Sequence, residues 1–148
     1  MQRTSDLTTW EDLTGLNDGI SLFSKDSEYY YAGGIYRGGS IKQMYRSSNG
    51  TSFTLFNTGL PNCDGKDLIT RKDTTYFAFQ ELKSVSPALG MNEMTVYQTY
   101  PGVTGWTQFQ EKLPDVIAGS LLKTNESLLL ASEAGAYGLY RHNFNPIP

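Results

Sequence analysis

The side chains that could do chemistry here are few, and their spacing limits what they can do. His142 is the only histidine and stands just ahead of the Asn145-Pro146 turn, a place for a solvent-facing or turn-packing ring rather than the pivot of a Ser/His/Asp relay. Cys63 is the only cysteine, in a loop after Leu60-Pro61-Asn62. It reads as a small semi-buried hydrophobe, and with His142 it supplies no His/Cys cluster for a transition metal and no internal disulfide. Asp64, Asp67 and Asp73 are the closest acidic grouping, but a calcium loop needs denser alternation and a bidentate acid. Gly33-Gly34 and Gly38-Gly39 match neither a P-loop nor a dinucleotide fingerprint and read as hairpin turns. Recognition chemistry remains: Tyr36 and Arg37 set a planar aromatic beside a forked donor, a pair suited to sugars or protein hot spots. Lys83 and Asn92 lie in a longer polar connection, residues 80–92. These four are the candidate ligand-binding residues; no catalytic residue, metal or cofactor is expected.

The elements that must position them recur along the chain. An aromatic segment appears at Trp10, at Phe53 and at Trp106, at spacings of 43 and then 53 residues, each followed closely by a leucine: Leu16, Leu60 and Leu113. Ahead of two of them, and again near the C-terminus, stands an apolar-Tyr-polar triplet: Met44-Tyr45-Arg46, Val96-Tyr97-Gln98 and Leu139-Tyr140-Arg141. Polar turns that feed apolar strands ending in Ala recur at residues 25–32, 72–78 and 123–131, each after a short apolar strand at 20–23, 67–70 and 118–122. One repeat is thus four strands over about 45 residues, a propeller-blade period rather than that of a helical array. Repeat 1 spans about 18–60 and repeat 2 about 64–113, while repeat 3, about 116–145, has only three of its four strands. A strand at about 7–14 stands ahead of them within one domain of residues 1–148.

Ten Tyr, seven Phe and fifteen Gly suit pleated, half-buried surfaces punctuated by turns, and no stretch sustains apolar residues at a period of 3.6. The expected fold is all-β. A net charge of −3 and a pI near 5.1 argue against a nucleic-acid surface, which would need clustered Lys and Arg. Residues 1–6 carry no apolar signal region and no run approaches a membrane span, so no membrane partner is expected. An extracellular or virion-associated setting is mildly favoured.

Tyr45-Arg46-Ser47-Ser48-Asn49-Gly50-Thr51-Ser52-Phe53 resembles the Asp-box, or BNR-repeat, hairpin of sialidase-like and sortilin-like β-propellers, with Asn49 for the Asp and Phe53 for the Trp. Residues 99–106 keep the hydroxyl, a Gly and Trp106 but lose the acid, and residues 142–145 hardly form a box. The resemblance implies a structural role. Asn49 would hold backbone N–H groups of a tight turn, Gly50 would supply positive φ, and Phe53 and Trp106, with Trp10, would pack into the core. Tyr45, Tyr97 and Tyr140 would mark equivalent blade strands. A sialidase site would need clustered arginines with an acid and a nucleophile beside them; Arg3, Arg37, Arg46, Arg71 and Arg141 are scattered, with Arg46 and Arg141 at equivalent positions.

Three blades fall below the usual propeller range of about four to eight, and propellers commonly close by letting an N-terminal strand complete the last blade. The sequence therefore leads to a homodimeric six-bladed propeller in which the Trp10 strand of one chain lies beside Leu139-Tyr140-Arg141 of the other. A β-trefoil is the alternative fold. The function expected is that of a non-catalytic module binding a glycan or protein ligand through loops on one face. A structural component of a virion or cell-surface fibre is the second reading, and a sialidase-like glycoside hydrolase the third.

Overall fold

The computed structural model describes residues 1–16, 19–34, 43–61, 64–82, 92–113, 118–123, 127–132 and 140–143. These form antiparallel sheets without a helix among the described residues. A two-stranded hairpin comes first, β1 (Gln2–Arg3) with β2 (Glu11–Asp12). Sheet 1 runs β3 (Ile20–Lys25), β4 (Tyr30–Gly34), β5 (Met44–Ser47) and β6 (Thr54–Leu55), each paired with the next. Sheet 2 repeats that order with β7 (Asp64–Arg71), β8 (Thr74–Leu82), β9 (Asn92–Thr99) and β10 (Thr107–Leu113). Sheet 3 has three strands, β11 (Ala118–Lys123), β12 (Ser127–Ser132) and β13 (Tyr140–Asn143).

Local chemistry fixes the turns. Between β3 and β4 the buried Asp26 carboxylate accepts from the Glu28 and Tyr29 amides at 2.8 and 2.6 Å and from the Tyr31 hydroxyl at 2.7 Å. Between β7 and β8 the chain reverses over two residues, with Lys72 at φ 52. Side chains then alternate across each sheet, as the period of a strand requires: β3 reads half-buried, exposed, half-buried along its length.

The sheets stack face to face, with sheet 2 between sheets 1 and 3. Tyr31, Met44, Phe56, Leu68, Phe77, Phe79 and Trp106 fill the space between sheets 1 and 2. Tyr76, Ala78, Val96, Leu121 and Leu128 fill that between sheets 2 and 3. On the free side of sheet 1, Ala32, Tyr45 and Phe53 pack against Leu13 and Leu16 of the N-terminal segment. Trp106 is the hub of the central layer. Its ring centroid lies 5.8 to 6.0 Å from those of Phe77, Phe56 and Tyr31, and its Nε1 donates to the Phe56 carbonyl at 2.9 Å. Contacts of this type contribute about 0.5–1.5 kcal/mol each beyond area burial.

The first strands of the three sheets are neighbours, with β7 between β3 and β11. Ser24 and Thr70 share a hydroxyl hydrogen bond of 2.5 Å across β3 and β7. Across β7 and β11, Asp67 Oδ2 accepts from the Leu121 amide at 2.6 Å and Lys123 Nζ donates to the Thr70 carbonyl at 2.8 Å.

Three expectations change. Every strand ladder lies within one repeat, whereas a β-trefoil pairs strands of different repeats in a barrel; no such barrel forms among the described residues. The N-terminal segment is not a lone strand, because β2 is already paired with β1. Trp10, expected in the core, is 56% exposed, because no sheet stands on its side of the hairpin among the described residues.

Candidate functional site

The N-terminal hairpin repeats the pairing of the last two strands of sheet 1, residue by residue. In sheet 1, Arg46 lies opposite Thr54 and Tyr45 opposite Leu55, and the Phe56 amide donates to the Met44 carbonyl at 2.7 Å. In the hairpin, Arg3 lies opposite Glu11 and Gln2 opposite Asp12, and the Leu13 amide donates to the Met1 carbonyl at 2.8 Å. Met1-Gln2-Arg3 thus occupies the place of Met44-Tyr45-Arg46, and β2 that of β6.

The turn between the strands repeats too. Asn49 Oδ1 accepts from the Thr51 and Ser52 amides, both at 2.9 Å, and Ser47 Oγ accepts from the Gly50 amide at 2.9 Å, with Gly50 at φ 73. At the N-terminus, Asp6 Oδ1 accepts from the Thr8 and Thr9 amides, both at 2.8 Å, and Thr4 Oγ1 accepts from the Leu7 amide at 2.9 Å, with Leu7 at φ 62. The Thr9 and Thr8 amides hold the Asp6 carboxyl well below the usual carboxylate range. Thr4-Ser5-Asp6-Leu7-Thr8-Thr9-Trp10 therefore repeats the turn of Ser47 to Phe53, with Asp6 in place of Asn49 and Trp10 in place of Phe53. Sequence reading singled out the Asn49 version and passed over this one. The available signal was the parallel of Met-x-Arg-Thr-Ser-Asp at the start with Met-x-Arg-Ser-Ser-Asn from Met44.

The hairpin is seated on sheet 1 as sheet 1 is seated on sheet 2. The Phe53 amide donates to the Thr14 carbonyl at 2.9 Å, and the Trp106 amide donates to the Thr58 carbonyl at 2.8 Å. A Cβ on Gly15 would stand 2.0 Å from the Phe53 oxygen, and one on Gly59 the same distance from the Trp106 oxygen. Arginines complete the match. Arg46 donates to the Val103 carbonyl in the turn of sheet 2 at 3.0 Å, and Arg3 donates to the Asn49 carbonyl in the turn of sheet 1 at 3.1 Å. Arg46 is sandwiched between the Tyr29 and Phe56 rings, 4.3 and 4.0 Å from their centroids. Arg3 instead makes a forked pair with Glu11, at 3.0 and 2.9 Å.

Among the described residues this seating leaves two unmatched faces. Ahead of the hairpin, Trp10 holds the position of Phe53 and Trp106, yet it is 56% exposed where they are 6% and 4%. With Met1, Gln2 and Asp12 it lines an open cavity of about 650 Å³. On the same side Phe23, opposite Ala32, stands where Leu68 stands opposite Phe77 and Leu121 opposite Leu130. Leu68 and Leu121 are buried by the preceding sheet, whereas Phe23 is 50% exposed. At the far end, Leu122 of β11 points away from sheet 2 and is exposed, although the corresponding Ile69 packs against the next sheet.

Tyr36, Arg37 and Lys83 lie outside the described residues. Asn92 opens β9 opposite Leu82. Tyr45 is buried against Ala32 and Phe53, Tyr97 packs on Phe79 at 5.1 Å between centroids, and Tyr140 is paired with Leu130. Among the described residues no group of three His, Cys, Asp or Glu side chains is placed to hold a metal. No protein-family model matches the chain, and no curated protein matches its sequence.

Proposed function

We propose that this chain is a non-catalytic recognition and assembly module made of Asp-box propeller blades. Sheets 1 and 2 are complete blades, sheet 3 has three strands among the described residues, and a second copy closes the ring to six blades. The observation that carries this reading is the repeated seating of Gly15 on Phe53 and Gly59 on Trp106, by which half-blade and blade dock through one geometry. A module built to receive a further blade on either side is a module for association, and its exposed Trp10 and Phe23 are residues of the kind that interfaces bury. The connections that join β4 to β5 and β8 to β9 leave the sheets at the same end and carry Tyr36, Arg37 and Lys83. Loops on a rigid scaffold are where recognition concentrates, and a glycan or protein ligand is assigned to that end.

Light scattering tests the assembly. The intact chain should run at twice its 16.5 kDa, and a chain lacking residues 1–16 should not assemble. A folded monomer at micromolar concentration overturns the reading. On a dimer, binding to a glycan array that is lost in Arg37→Ala supports the ligand end.

A further inference from the structure

The chain carries two strands for one position. β1 stands to β2 as β5 stands to β6, and β13 stands to β12 as β5 stands to β4. Arg46 lies opposite Tyr31, Gln98 opposite Tyr76 and Arg141 opposite Leu129, so Arg141 and Arg3 are both third-strand residues at the same level. A four-stranded sheet has room for one third strand. When a hairpin from a second copy completes sheet 3, either its β1 or the resident β13 must leave.

We infer that β13 leaves: β1–β2 of one copy docks as a unit on β12 of the other, giving a hybrid sheet β11-β12-β1-β2. This rests on the shared ring proposed above. β1 is fastened to β2 by the Met1–Leu13 backbone bond at 2.8 Å, the forked Arg3–Glu11 pair, the Gln2–Asp12 bond at 2.9 Å and the Asp6 turn. Placing β2 on the outer edge of β13 would break the Met1, Gln2 and Arg3 bonds across the hairpin. Exchanging β13 for β1 replaces one ladder on β12 by its equivalent, with Gln2 opposite Leu130 and Arg3 opposite Leu129.

The exchange also gives the exposed apolar side chains their partners. Sheet 1 of the hairpin's own chain then follows the hybrid sheet directly. Phe23 meets β11 of the second copy from the side on which Leu122 is exposed, as Leu68 meets β3. Trp10 enters the layer between the second copy's sheets 2 and 3, the place in its sheet that Trp106 occupies between sheets 1 and 2. Both faces that no described residue covers are covered by one contact, and the two-fold repeats it, as closed dimers require. A ligand for the Trp10 cavity is disfavoured by the same comparison, because the two equivalent aromatics are buried by neighbouring strands and sheets.

Residues directly opposite in an antiparallel pair lie within disulfide reach, so cysteine pairs read the strand order. In a Cys63→Ser background, Gln2→Cys with Leu130→Cys should oxidise to a covalent dimer, at twice the monomer mass on a non-reducing gel. Leu130→Cys with Tyr140→Cys should not close. A dimer in which Leu130→Cys and Tyr140→Cys join within one chain, or in which Asp12→Cys and Tyr140→Cys join between chains, overturns the exchange and leaves the shared ring standing. A folded monomer by light scattering overturns both.

Discussion

Gly15 lies flat against the carbonyl of Phe53, so that an added Cβ would stand 2.0 Å from its oxygen, and its φ of +77° is one that L side chains rarely adopt. Gly59 stands in the same way on Trp106, at φ +86°. Alanine at either position meets both backbone strain and overpacking, together on the order of 2–4 kcal/mol. The consequences should differ in place. Gly59→Ala separates sheets 1 and 2 and lowers the urea midpoint of the whole fold. Gly15→Ala frees the hairpin first, seen as faster hydrogen exchange at the Phe53 and Leu13 amides with sheet 2 unchanged. Equal loss of protection everywhere in Gly15→Ala would mean that the hairpin is no separate seat.

Much of this fold was legible in the sequence, because its signals are local. Strand alternation, the Lys-Asp turns and the Tyr-polar triplets each lie within a few residues, and the observed strands fall on them. The N-terminal hairpin escaped because its first strand is two residues long and has Gln2 where the other repeats have Tyr45 and Tyr97. With the aromatic marker gone, only Met1, Arg3 and Asp6 carry the match. Trp10 is exposed in the single chain for a different reason. Its type indicates burial, but burial depends on what stands next to it, and no pattern within one strand states that.

Arg46 is held by geometry that a point charge cannot reproduce. Its guanidinium lies over Tyr29 and Phe56 while Nη1 reaches Val103 in the next sheet. Lysine can make one of those contacts at a time. Arg46→Lys should lose about 1–2 kcal/mol in urea unfolding, and Arg46→Ala more, since it also uncovers two rings. Because the group is partly buried, raising salt from 0.05 to about 0.5 M should change the difference little. A salt-sensitive difference would show that simple charge, and not stacking, holds the two sheets.

The Asp6 turn gives the hairpin an acid limit. Its carboxyl is held below the ordinary range by the Thr9 and Thr8 amides, so the folded hairpin stays ionised where the unfolded chain has begun to bind a proton. Its contribution is present above the unfolded value of 3.8 and is lost as pH falls further, toward the folded pKa. Thr8 and Thr9 amide shifts followed by NMR should therefore stay constant through pH 4 and move only in stronger acid. Asn49 fills the same role without a charge, so Asp6→Asn should keep the turn and abolish the titration.

Tyr31 sets the alkaline limit. Burial first, and then its bond to Asp26 at 2.7 Å, push the phenol above its ordinary value of 10.0. Tyr76 shifts in the same direction through burial. Between the unfolded and folded pKa the folded protein holds a proton that the unfolded chain has released, so the stabilisation is complete below pH 10 and declines as pH rises through it. Tyr31→Phe separates two effects of one hydroxyl. At neutral pH it should cost about 1–3 kcal/mol, because the buried Asp26 loses a donor. Above pH 10 the gap to the parent protein should narrow, since the variant has one phenol fewer to ionise on unfolding. Urea midpoints measured from pH 7 to 11 give both numbers, and a gap that widens with pH would mean that the Tyr31 proton is not retained by the fold.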